Sequence, residues 1–271
     1  MRSSLTVIIA ATVTALALLA SGCSRPAPKA PSARPSAVPA LTDYVSPPQP
    51  TAASRGQGSD VILTGVSRPD ALIRLASPDG TAIGVAAAHD GAWSLTTSVG
   101  DRPRLFALAE DMNGRPLRAA GYIAALPAPA PTAVMLRPGM GAQILGGGRG
   151  PLAITAIDFD GGGAAVVSGK ATPGASVRLT LDGIEAGEDR TDANGVFTVS
   201  ASPALRPGPH LLEAITTNAR TAQSFEAAHT HALAKPPFAA AHTPAGWRID
   251  WMTPGGGIQT TVLFESTETA R

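Results

Sequence analysis

Three small constellations in this chain could do chemistry. His229-Thr230-His231 is a close histidine pair with His242 downstream. On an extended strand alternate residues share a face, so the pair would offer two imidazoles to one cation, the beginning of a Zn²⁺ or Cu²⁺ site. The spacing fixes no third ligand, and a polar strand end is the plainer reading. Asp158-Phe159-Asp160-Gly161 sets two carboxylates on one face of a strand end. Calcium asks for six or more oxygens, and no further acidic cluster follows, so a glycine turn is expected and neither metal nor cofactor is assigned. Trp247, Ile249 and Trp251 alternate with Arg248 and Asp250, and the two tryptophans would make a platform for stacking sugar rings. Ile249 shares their face, which makes core packing the competing role. The two tryptophans are the candidate ligand-binding residues.

Nucleophilic chemistry has little to build on. G-x-S-x-G, H-E-x-x-H and S-x-x-K do not occur, and Gly146 to Gly150 matches neither phosphate-loop pattern and reads as a linker or turn. No catalytic residue is assigned and a non-enzymatic role is expected, although Ser, His and Asp side chains far apart in sequence can converge in space.

The sole thiol, Cys23, follows a short positive start, Met1-Arg2, and an uncharged run from Leu5 to Leu19 that is the size of a secretory signal core and short for a membrane span. The stretch L-A-S-G-C ending at Cys23 resembles the lipobox of bacterial lipoproteins, with Ala20 where that family usually carries leucine. The resemblance implies a signal peptide over residues 1–22, diacylglycerol on the Cys23 sulfur, and acylation, for example by palmitate, of the new amino terminus. Each buried methylene contributes about 0.8 kcal/mol, so two or three chains would anchor the protein to a membrane durably. The alternative is an ordinary secretory signal cleaved near Ala20. Ser24 stands where enteric inner-membrane lipoproteins carry aspartate, which favours the outer membrane, facing the periplasm or the surface.

Composition narrows the rest. Charged residues make up 15% of the chain and aromatic residues 4%, against roughly 25% charged in typical globular chains, so cores must be small and aliphatic. A net charge of +1 and the lack of a basic cluster interleaved with aromatics argue against nucleic acid as a partner. With one cysteine there is no internal disulfide, and the domains must be held by packing.

Ser24 to Gly58 has proline every few residues and almost no apolar periodicity; with the lipidated Cys23 it reads as a disordered spacer over residues 23–58. Beyond it the chain repeats. Thr64 to Leu75 aligns with Ser168 to Leu179 at an offset of 104 residues, and the offset returns for His89 to Leu95 over Ala193 to Val199. Pro103 to Ala109 then lies over Pro209 to Ile215 at a slightly shifted offset. Two copies of one module are implied. Within each, apolar residues alternate, as in Ala175, Val177, Leu179 and Leu181, and Asp79-Gly80, Asp90-Gly91, Asp182-Gly183 and Asn194-Gly195 punctuate the strands. Short strands with frequent turns predict an all-β sandwich, with no helix in the mature chain.

The order G-x-A-x-P-G-A-x-V-x-L, then D-G, then D-A-N-G-x-F over Val166 to Thr217 resembles the bacterial Ig-like domains found in tandem on surface proteins; the transthyretin-like regulatory domain shares the T-D-A-N-G-x-F turn at Thr191 to Phe197. Both imply Greek-key sandwiches. The expected layout is a degenerate Ig-like sandwich over 59–146, a second over 150–234, and a hairpin over 235–271, with Trp247 to Phe264 at its centre, packing on a sandwich as extra strands. A lipid-anchored envelope protein using these modules for binding or spacing in a protein assembly is the expected function. The alternative is binding of peptidoglycan or another polysaccharide through the carboxy-terminal tryptophans, and an enzyme of unrecognised type stands third.

Overall fold

The computed structural model describes residues 45–128, 132–146, 150–233 and 237–265. The leader, Cys23 and the spacer through Tyr44 lie outside the described residues, as do residues 147–149 of the glycine cluster and Lys235.

The described residues are all-β, without a helix. Nine strands form the first half: β1 (Gln49–Arg55), β2 (Asp60–Val66), β3 (Leu72–Ala76), β4 (Ala82–Ala87), β5 (Ala92–Ser98), β6 (Arg104–Met112), β7 (Arg115–Ala125), β8 (Ala133–Leu136) and β9 (Gln143–Ile144). Seven more build the second copy: β10 (Ala153–Asp160), β11 (Ala165–Lys170), β12 (Ser176–Leu181), β13 (Ile184–Arg190), β14 (Val196–Ala201), β15 (Gly208–Ile215) and β16 (Arg220–Ala227). Three close the chain: β17 (Phe238–Thr243), β18 (Gly246–Met252) and β19 (Ile258–Phe264).

The two copies share one topology. In the first, β1-β2-β5 faces β4-β3-β6-β7, and in the second β10, β11 and β14 face β13-β12-β15-β16. The first, second and fifth strands of each module therefore form one sheet and the third, fourth, sixth and seventh the other, an immunoglobulin-like order in which the fourth strand pairs with the third instead of the fifth. Period-two patterning explains the layers. Val61, Leu63, Ile73, Leu75, Trp93 and Leu95 point into the first core, and Val177, Leu179, Phe197, Val199, Leu212 and Ala214 into the second.

The repeat preserves a glycine opposite an aromatic. Gly65 pairs with Trp93 across β2 and β5, and Gly169 with Phe197 across β11 and β14. The second glycine of the repeat has positive φ in both copies, 84° at Gly91 and 78° at Gly195, and its carbonyl accepts from Ser67 or Ala171 at 2.8 Å.

Several expectations need correction. The spacer does not reach Gly58, because Gln49–Arg55 is a strand paired antiparallel with β2. Pro50 is tolerated there because β1 is an edge strand whose register shifts beside it. The turns also differ. Asp90-Gly91 and Asp182-Gly183 have positive φ at both residues, as does Asn113-Gly114 between β6 and β7, which the expected turns omit. At Asp79-Gly80 and Asn194-Gly195 only the glycine does.

Each module carries an addition. β8 and β9 extend the first module's larger sheet beyond β7, and β19-β18-β17 extend the second module's sheet beyond β10. β18 and β19 form a hairpin with β19 antiparallel to β10, and β17, a strand that no alternation announces, pairs with β18. Val45–Arg271 forms one compact unit.

Candidate functional site

A third apolar cluster joins the modules. Leu105, Leu126, Val134 and Leu136 from the first pack on Ala156, Ile249, Trp251 and Leu263 from the second. A buried polar relay crosses this seam. The Trp251 Nε1–H donates to Thr261 Oγ1 at 3.1 Å, the Thr261 hydroxyl donates to Asp158 Oδ1, and Asp158 Oδ2 accepts from the Ala142 backbone N–H at 2.6 Å. Asp158 is 1% exposed. Burial pushes its carboxyl up to about 6 against the pull of Thr261, Ala142 and Gln259 hydrogen bonds and the Arg137 charge.

This placement corrects the sugar platform. Trp251 is fully buried, its ring edge-on to Tyr122 at 6.2 Å, and presents no face to solvent. Trp247 is half-buried beside it, edge-on to His242 at 5.5 Å. The alternation that put Trp247, Ile249 and Trp251 on one face holds, and that face is the seam.

The carboxylate and histidine constellations are separated. Asp158 lies in the seam, whereas Asp160 Oδ1 accepts the Gly162 and Ala164 N–H groups of the exposed turn. His229 and His231 follow the end of β16 and are not in a strand. The His229 ring stands against Phe159 at 5.7 Å, His231 lies over Gly161, and His242 Nε2 meets Glu265 Oε1 at 2.6 Å. Among the described residues no three His, Cys, Asp or Glu side chains gather as metal ligands would.

A groove of about 770 Å³ opens between the second module's two sheets, lined by Pro209, Leu211, Phe225, Pro244, Ala245 and Val262 among others. His210 sits at one end. Its Nδ1 is 2.7 Å from Asp182 Oδ2 and its Nε2 is 2.7 Å from the Arg206 carbonyl oxygen. Both neighbours only accept when Asp182 is ionised, so the geometry suits an imidazolium donating from both nitrogens. Burial works against that charge, yet the Arg206 carbonyl and the Asp182 carboxylate together raise the His210 pKa above its ordinary value. The Arg248 guanidinium also lines the groove and is engaged by Asp250 at 2.9 Å, by Thr230, and by the Ala228 carbonyl. His210 and Arg248 are occupied by internal partners, so apart from the exposed Glu226 carboxylate the groove offers apolar surface and shape; with both His210 nitrogens committed, that ring is no free general base.

His210 was not among the sequence candidates. The repeat carried a signal for it, because Pro103-Arg104-Leu105 aligns with Pro209-His210-Leu211 and so places a basic residue at the same point of both copies. Arg104 reaches the Ser98 carbonyl there at 2.9 Å.

No protein-family model matches the chain, and no curated protein matches it. Among solved structures the chain is similar to the central fibronectin-III array of RIM-binding protein, at 12% identity over 81% of this chain and 89% of that one, with a TM-score of 0.25. It is also similar to the BSP domain of a biofilm-associated protein, at 13% identity over 69% of this chain and 30% of that one, with a TM-score of 0.23. The class of the protein, a tandem pair of immunoglobulin-like β-sandwiches, stands on its own strand order.

Proposed function

We propose that this chain is a lipid-anchored protein of the bacterial cell envelope, held by acyl groups on Cys23, whose fused sandwiches act as a binding or spacer module in a protein assembly. The anchor is supported by the lipobox-like sequence before Cys23 and the proline-rich stretch after it. The observation that carries the module's role is the seam. A shared apolar core and a buried relay through Trp251, Thr261 and Asp158 join two domains that would otherwise be beads on a string. A joined pair holds its ends at a set separation, as a spacer must. The groove beside Phe225 supplies apolar surface for a partner protein.

Two measurements test the reading. Cell fractionation should place the chain with membranes and move the Cys23→Ala variant to the soluble fraction; a Cys23→Ala variant still on membranes overturns the anchor. A photo-crosslinking residue at the exposed Leu211 should capture one envelope protein in intact cells, and capture no better than from a site on the opposite sheet removes the groove from the binding role.

A further inference from the structure

A sheet ends in strands whose outer N–H and C=O groups are unpaired, and proteins blunt such edges with short strands, proline, bulges, charges or covering elements. Among the described residues, seven of the eight sheet edges are blunted. β9 has two residues, and β1 carries Pro50 and a register shift. A bulge at Ile83, where the partners of Leu75 and Ala76 skip a residue, interrupts the pairing of β4 with β3. β13 bears Glu185, Glu188, Asp189 and Arg190, and β16 bears Arg220 and Glu226. β5 and β14 lie against β4 and β13 at the corners of their sandwiches.

Among the described residues β17 shows none of these devices between Phe238 and Thr243. Its sequence, F-A-A-A-H-T, contains no proline and no Asp, Glu, Lys or Arg, and its pairing with β18 is regular from Phe238 to Thr243. The Met252 N–H donates to the Pro237 carbonyl at 2.9 Å, which fixes the phase of that ladder. Ala239, Ala241 and Thr243 therefore direct their backbone groups at β18, and Phe238, Ala240 and His242 direct theirs outward.

We propose that this edge pairs with the β17 of a second copy, antiparallel about a two-fold axis at Ala240, joining two six-stranded sheets into one. The outward backbone groups then meet as Phe238 with His242 of the second copy and Ala240 with its own counterpart. Ala239 and Ala241 stand opposite each other in the closer, non-hydrogen-bonded positions. Charge selects the occupant: a two-fold pair confronts a strand with itself, and β17 does this without opposing like charges. The self-pair is independent of the lipid anchor.

Sedimentation of the full chain in detergent, and of its Cys23→Ala form to exclude dimers that share a micelle, reads the association directly. Both should dimerise. In A239K/A241K each lysine faces a lysine of the second copy, and the dissociation constant should rise about tenfold or more. In A239K/A241E each lysine faces a glutamate across the axis, and dimers should persist. Ala240→Pro removes an outward N–H that no bond among the described residues uses, and should give monomers with an unchanged circular dichroism spectrum. A wild-type chain that stays monomeric at about 100 µM, a Lys/Lys variant that dimerises as well as wild type, or a Lys/Glu variant as weak as Lys/Lys overturns the proposal.

Discussion

Gly169 lies directly opposite Phe197 on neighbouring strands, and a Cβ at residue 169 would collide with both the Phe197 ring and the Ala153 carbonyl oxygen. Gly65 stands in the same relation to Trp93 and the Gln49 carbonyl. The glycine makes room for the ring to lie across its strand, and the ring fills much of the core in a chain with few aromatics. Gly169→Ala should therefore destabilise the protein by about 1–3 kcal/mol through overpacking. Gly255→Ala, where a Cβ would meet nothing closer than 3.9 Å, should be near neutral in the same urea titration.

The seam should unfold with both modules. Trp251→Ala removes the largest side chain of the shared cluster, and truncations of this kind cost about 3–5 kcal/mol. Because the lost contacts lie between the modules, the single unfolding transition expected for wild type should resolve into two. Differential scanning calorimetry of both proteins decides this, and a variant that still melts in one transition would show that the modules remain coupled without the ring.

Asp158 should give stability an acid bias. Its folded pKa, about 6, lies above the ordinary 3.8, so between these values the folded protein binds a proton that the unfolded chain does not. The contribution of this group is greatest below about pH 4 and declines as pH rises to about 6, by a total of about 3 kcal/mol. Asp158→Asn keeps an acceptor for the Ala142 N–H and removes the titration. Unfolding free energies at pH 4 and pH 7 should show this fall in wild type relative to the variant.

Thr261→Val tests the relay without changing its volume. The Trp251 N–H loses its acceptor and Asp158 loses a donor in a buried site, which should cost about 1–3 kcal/mol. With a donor to the carboxylate gone, the acid bias should also grow larger and extend to higher pH.

His210 should titrate above its ordinary range. Its raised folded pKa means that the charged ring stabilises the fold below about pH 6.5, with the contribution lost as pH rises through the folded value. An NMR titration of the ring should show the elevated midpoint, and Asp182→Asn should lower it.

The sandwiches were legible because their cause is local. Alternation at Val177, Leu179 and Leu181 and the Asp-Gly and Asn-Gly turns encode strands within a few residues, and the repeat exposes the glycine–aromatic pair as conserved spacing between Gly65 and Trp93 and between Gly169 and Phe197. β1 was hidden because its strand character comes from pairing with β2, which overrides prolines read as spacer. The role of Asp158 was illegible for the same kind of reason. Its partners, Ala142 and Thr261, are 16 and 103 residues away, and nothing local distinguishes a relay carboxylate from a turn. Trp251 shows the limit of a face assignment: period two places the ring on a surface, and only the arrival of Tyr122 and Leu136 from the other module says that the surface is covered.

β18 and β19 come after both sandwiches in chain order, yet they supply Ile249, Trp251 and Leu263 to the seam. A ribosome therefore completes the strands of both sandwiches before β18 and β19, which supply most of the second module's side of the joint. The order of the sequence thus makes completion of the joint a late step of synthesis.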